Sequence, residues 1–63
     1  MYWAVFFEIE IVDNECEPHV FERKFQLPEG DSQYLAYKLA VDEGERIIKK
    51  VFPGGYIGRI EMI

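Results

Sequence analysis

The first twelve residues pass from a run of β-formers into strict alternation, with Phe7, Ile9 and Ile11 set against Glu8 and Glu10. A strand over residues 2–12 follows from that pattern. Carried backwards, the period of two puts Trp3, Val5, Phe7, Ile9 and Ile11 on one face and Tyr2, Ala4, Phe6, Glu8, Glu10 and Val12 on the other. The first set is the predicted core face. Residues 13–18, Asp-Asn-Glu-Cys-Glu-Pro, have no apolar periodicity and end in proline, which predicts a hairpin loop longer than the two-residue kind. Residues 19–27 alternate again, with Phe21, Phe25 and Leu27 opposed to Val20, Glu22, Lys24 and Gln26. Arg23 breaks the apolar side of this second strand. At a sheet edge its guanidinium is expected to snorkel past the rim to Asp31, Glu29 or solvent.

Pro28-Glu-Gly-Asp-Ser interrupts the alternation and offers Asp31 or Ser32 as the N-cap of a helix over about residues 32–52. At about 100° per residue, Tyr37, Ala40, Val41, Gly44, Ile47, Ile48 and Val51 share one arc, bordered by Tyr34, Ala36 and Phe52. The opposite arc carries Lys38, Asp42, Glu45, Arg46 and Lys49, a solvated face braced by acid-first pairs four residues apart. Leu35 and Leu39 also project away from the apolar arc. They are read either as a small docking ridge for another helix, or as a sign that the first turn begins elsewhere or that the loop at residues 13–18 or the chain end folds over them. Gly44 lies mid-arc, where alanine would be favoured by about 0.8–1.0 kcal/mol, so a close approach to an aromatic such as Trp3 or Phe7 is expected there. Pro53-Gly-Gly ends the helix, and residues 56–62 form a third strand in which Gly58, Ile60 and Met62 alternate with Ile57, Arg59 and Glu61.

Strand, strand, helix, strand in one domain over residues 1–63 is an α+β arrangement, topology ββαβ. A hairpin followed by a right-handed crossover gives a three-stranded antiparallel sheet of order 2-1-3 with the helix packed on one face. The other face is left bare. It is expected to show Tyr2, Phe6, Val12, Val20, Ile57 and Ile63 among Glu8, Glu10, Glu22, Lys24, Arg59 and Glu61.

Composition narrows what such a face can do. A net charge of -5 and a pI near 4.7 disfavour attraction to nucleic acid or to anionic membranes. The lone Cys16 excludes an intrachain disulfide, which fits a reducing, cytoplasmic setting, and no apolar run approaches the roughly 20 residues of a membrane span. Asp13, Glu15, Cys16, Glu17 and His19 contain metal-ligand types, but their spacing matches neither a calcium loop nor a zinc knuckle, and they read as a solvated acidic turn. No cofactor or metal is called for. Asp42, Glu43 and Glu45 form a helical charge run without the burial that tunes a catalytic carboxylate, and no catalytic set emerges.

With 63 residues the core is small, and a core of that size commonly needs help from a partner chain. The expected function is that of a small acidic interaction protein that binds or modulates a larger protein and self-associates through its open sheet face or an edge strand. Its candidate contact residues are Tyr2, Phe6, Glu8, Glu10, Ile57 and Arg59 on the sheet, and Leu35 and Leu39 on the helix. Two alternatives stand beside it. One is an acidic mimic of nucleic acid that inhibits a DNA- or RNA-handling protein, and the other a small enzyme with its site at a subunit interface.

Overall fold

Two long alternating segments joined by a short polar loop close into a hairpin. A computed structural model, which describes residues 1–30 and 33–63, places β1 at Tyr2–Val12 and β2 at Pro18–Pro28. The two are antiparallel and remain in register from Tyr2 opposite Pro28 to Val12 opposite Pro18. The helix α1 spans Gln33–Val51, and β3 spans Tyr56–Met62 and lies antiparallel to β1. The sheet order is β2-β1-β3, with α1 across one face, so the ββαβ reading of the alternation holds. The expected N-cap, Asp31 or Ser32, lies outside the described residues. The helix ends as its sequence requires: Lys49 and Lys50 sit in the last turn, where cations suit the dipole, and Gly54 takes a positive φ of 91° beyond Pro53.

The core is the inward face of β1 pressed against the helix. Val5, Phe7, Ile9 and Ile11 are buried with Leu27 of β2, and Ala36, Ala40, Gly44 and Ile47 of α1 are buried above them. This stripe is turned from the predicted arc towards Leu39 and Glu43, by less than one residue step of about 100°. Tyr37 and Val51, expected inside, are therefore exposed, while Leu39 packs against the core instead of forming an outer ridge. The cause is steric. Small residues along the contact line let the helix lie low on the sheet, and the larger Leu39, Val41 and Ile48 straddle its two sides half-buried.

The strand β3 corrects a second expectation. Glu10 faces Arg59, yet the next residue, Ile11, faces Ile57, so Gly58 is an extra residue in a β-bulge. The bulge reverses the side on which the preceding residues point. Ile57 turns inward and packs against the core, leaving the open face where alternation placed it. A Cβ at Gly58 would lie 2.5 Å from Glu10 Oε1, which can swing away, and 2.9 Å from Val12 Cγ2, whose stiff branched side chain would have to shift, so glycine suits the bulge.

Arg23 and Glu43 supply the third correction. The guanidinium of Arg23 is shared between the helix and the rim: its Nε donates to Glu43 Oε2 at 3.0 Å and its Nη1 to the Glu22 carbonyl at 2.9 Å, while Arg46 Nη1 donates to Glu43 Oε1 at 2.9 Å. The expected partner Asp31 lies outside the described residues. The two-pronged carboxylate of Glu43, read from the sequence as part of a solvated run, ties α1 to the edge strand.

Gly44 sits where the helix comes closest to the sheet. The contact is with Ile57 and Ile9, not with an aromatic: an added Cβ would stand 2.9 Å from Ile57 Cδ1 and 3.2 Å from Ile9 Cγ2. Ile57, packed against the core, would have to shift both Cδ1 and Cγ1, and Ile9 is fully buried and stiff at its branch point. The overpacking cost of about 1–3 kcal/mol thus outweighs the helix-propensity gain of about 0.8–1.0 kcal/mol. Gly44→Ala is expected to lower the unfolding free energy by about 1 kcal/mol in urea titrations. Ile57→Val, which removes Cδ1, should recover part of that loss in the double variant. A Gly44→Ala chain as stable as the parent would refute the close-contact account.

Candidate interaction surface

The face of the sheet away from α1 carries the even-numbered residues of β1 and the residues paired with them. Register sets them out in rows: Phe6 beside Lys24, then Glu8 beside Glu22 and Glu61, then Glu10 beside Val20 and Arg59, then Val12 beside Pro18 and Tyr56. Ile63 extends the first of these rows, because its N–H donates to the Phe6 carbonyl at 2.9 Å. Of the candidate contact residues expected on this face, Tyr2, Phe6, Glu8, Glu10 and Arg59 lie on it and Ile57 does not; Leu35 and Leu39, expected on the helix, are there. Leu35 is 39 % exposed there.

The middle row is electrostatically unusual. Glu22, Glu8 and Glu61 stand side by side across three strands, an arrangement of like charges that costs free energy in a sheet. Arg59 is the cation that reaches them, 3.3 Å from Glu61 and 3.9 Å from Glu8. One guanidinium for three carboxylates leaves the row net negative. Apolar groups flank it on both sides: Phe6 and Ile63 towards one end of the strands, Val20 and Tyr56 towards the other, each about half exposed or more. Tyr2 continues the apolar end and is 70 % exposed.

The acidic turn is more ordered than its composition implies. The N–H of Asp13 donates to Glu17 O and that of Cys16 to Asp13 O, each at 3.0 Å, and Cys16 takes a left-handed φ of 66° to complete the reversal. Asp13 Oδ1 accepts from the N–H groups of Glu15 and Glu17, and its Oδ2 lies 3.0 Å from His19 Nε2. The His19 ring stacks on Phe52 at 4.3 Å, joining the hairpin loop to the end of the helix. Asp13, Glu17 and His19 bring ligand-type atoms within 4.8 Å of one another, but both oxygens of Asp13 are engaged in closing the turn. The cluster's geometry is accounted for by the hairpin.

An open depression of about 310 Å³ beside Glu43, Arg46, Ile47, Lys50 and Val51 lies on the helix, and the carboxylate and guanidinium in it already bind each other. Among the described residues no helix is long and apolar enough to cross a membrane. No family model, curated protein or solved structure matches the chain, so its function is read from this geometry.

The hydrogen bond from His19, with those from the backbone N–H groups of Glu17 and Glu15, holds the Asp13 carboxyl below its ordinary value of 3.8. A carboxylate whose pKa falls on folding stabilises the fold above its unfolded value, and that stabilisation is lost as pH drops through the folded one. The stability gap between the parent chain and Asp13→Ala should therefore be widest above about pH 5 and shrink as the medium is acidified below pH 3.8. Denaturant titrations at a series of pH values measure it. A gap that does not change with pH would remove the ionised Asp13 from the account of the hairpin.

Proposed function

We propose that the chain is a small non-catalytic interaction protein that pairs with a second copy of itself and holds a larger protein against its uncovered sheet face. The observation that carries the reading is the row Glu22–Glu8–Glu61, net negative after Arg59 is counted and bracketed by exposed Phe6, Ile63, Val20 and Tyr56. A surface of this kind fits a segment whose Lys or Arg side chains alternate with apolar ones: the cations relieve the crowded carboxylates, and the apolar groups find Phe6 and Tyr56. Arg59 within the row counts against a mimic of nucleic acid, because it interrupts the run of negative charge that imitation of a phosphate array needs. The subunit-interface enzyme gains no support from Glu43 or from His19 and Asp13, which are engaged in ion pairs and turn closure.

Two measurements test the reading. Light scattering over a dilution series is expected to give a mass rising towards twice the 7.5 kDa of one chain; a mass fixed at one chain at every concentration would end the self-association claim. An amphipathic peptide of alternating lysine and leucine, titrated into labelled protein, should shift the amide signals of Phe6, Glu8, Glu61 and Arg59. The shifts should weaken with added salt and in the Glu8→Gln, Glu61→Gln double variant. Shifts concentrated instead at Asp42 and Glu45 on the helix would show ordinary charge attraction and discard the open face as the docking site.

A further inference from the structure

Resting on the reading that the chain self-associates, we infer that the second copy adds along the free edge of β2, in one register centred on Arg23. The edge is long and regular. β2 runs for 11 residues and is paired on one side with β1, and among the described residues no strand lies on its other side. The Glu29 N–H donates to Met1 O and the Asp13 N–H to Glu17 O, which places the odd-numbered backbone groups on the β1–β2 seam. Because antiparallel strands alternate, the N–H and C=O groups of Val20, Glu22, Lys24 and Gln26 point outward from the edge; the Glu22 carbonyl accepts from Arg23 Nη1 at 2.9 Å and exchanges or shares that bond when a second strand arrives. Pro18 and Pro28 bound this run and, lacking an N–H, end it at both sides. The other free edges suit pairing less. β3 is shorter and kinked by its bulge, and the part of β1 beyond β3 is only the few residues around Ala4.

The side chains choose the register. Read outward from Arg23 in both directions, β2 is nearly a palindrome: Glu22 matches Lys24, Phe21 matches Phe25, and Pro18 matches Pro28. A two-fold axis through Arg23 therefore sets each Glu22 opposite the partner's Lys24, and each Phe21 opposite the partner's Phe25. Centring on Glu22 would oppose two carboxylates, and centring on Lys24 two ammonium groups. A lysine on an edge strand ordinarily repels an arriving strand, and here it accepts the one alignment that brings it a carboxylate. The two Arg23 side chains meet at the axis, each already bound to its own Glu43 at 3.0 Å, so the junction holds alternating charges rather than two bare cations.

The covered side of the sheet points the same way. The helix packs on β1 and β3 more than on β2, so Phe21 and Phe25 are left half-buried although Phe25 packs edge-on to Phe7 at 6.1 Å. Edge pairing in this register joins the four rings across the axis, on the same side of a six-stranded sheet as both helices.

Charge reversal and its repair test the assignment by light scattering, with circular dichroism confirming that each variant is folded. Glu22 and Lys24 are exposed, and Glu22→Lys faces Glu8 within the sheet, so the variant relieves repulsion inside the chain while creating it between chains. Glu22→Lys should raise the dimer dissociation constant roughly tenfold or more, since symmetry changes the pair twice. Adding Lys24→Glu to it should restore the dimer. In the parent, exchange of the Val20, Glu22, Lys24 and Gln26 amides should slow as concentration rises. Tyr56→Glu, on the open face of β3 and across the sheet from the β2 edge, should leave the mass unchanged. A dimer indifferent to Glu22→Lys, or one broken by Tyr56→Glu, overturns the β2 assignment and leaves self-association standing. A parent chain that stays at the mass of one copy overturns both.

Discussion

The height of the helix above the sheet is set by one contact line, and most of the molecule follows from it. Ala36, Ala40 and Gly44 present little more than backbone to the sheet, and Gly44 admits Ile57 and Ile9 to the distance at which a further methyl group would collide. A helix seated that low excludes water from the inward residues of β1 with few large side chains of its own. That is how a chain of 63 residues reaches complete burial of Ile9 and Ile11. The same closeness narrows the helix's reach. It covers β1 and β3 and needs a strut, Arg23 to Glu43, to hold the second strand's flank beneath it.

The consequence is a molecule with one finished side. In a two-layer fold the sheet face opposite the helix has no protein to pack on. Here that face has not been made uniformly polar, as an antiparallel sheet with one solvated face commonly is. It keeps Phe6, Val20, Tyr56 and Ile63 about half exposed or more around a crowded carboxylate row. Both features cost the isolated chain something: apolar area left in water and like charges held in adjacent strands. A site that is unfavourable in the free molecule and complementary to a cationic, apolar segment is the pattern expected of a surface kept for binding.

Alternation made the sheet and its order legible, because a period of two over residues 2–12 and 19–27 admits one way of burying Phe7, Ile9 and Leu27 together. What escaped it were departures from period. The bulge at Gly58 adds one residue and so moves Ile57 to the opposite face, and no local signal beyond the glycine itself marks the place. The buried stripe of the helix departs from the predicted arc because a projection weighs all apolar residues alike, and the large ones do not set the contact line. In contact with a sheet the smallest ones do, and the large ones flank them. The pairing of Arg23 with Glu43 joins residues 20 positions apart and depends on that same rotation. The near-palindrome of β2, by contrast, lies in plain view in Pro18–Pro28. It acquires meaning only once β2 is known to be an edge strand with its even-numbered backbone groups turned outward.

Edge pairing and face binding are linked through Glu22. This residue belongs to the acidic row on the open face and also to the run facing the free edge, so the partner's Lys24 in the proposed register lies within reach of it. The row then loses negative charge at its β2 end and keeps it at Glu8 and Glu61, where Arg59 only partly offsets it. Self-association in that register would shift the centre of the negative face towards β1 and β3, and would set two such centres on one side of a continuous sheet, related by the two-fold axis. A target bearing a pair of cationic segments would engage both at once, and its second contact would form within an already assembled complex. Modest attraction at each exposed face can then sum to firm retention of the larger protein.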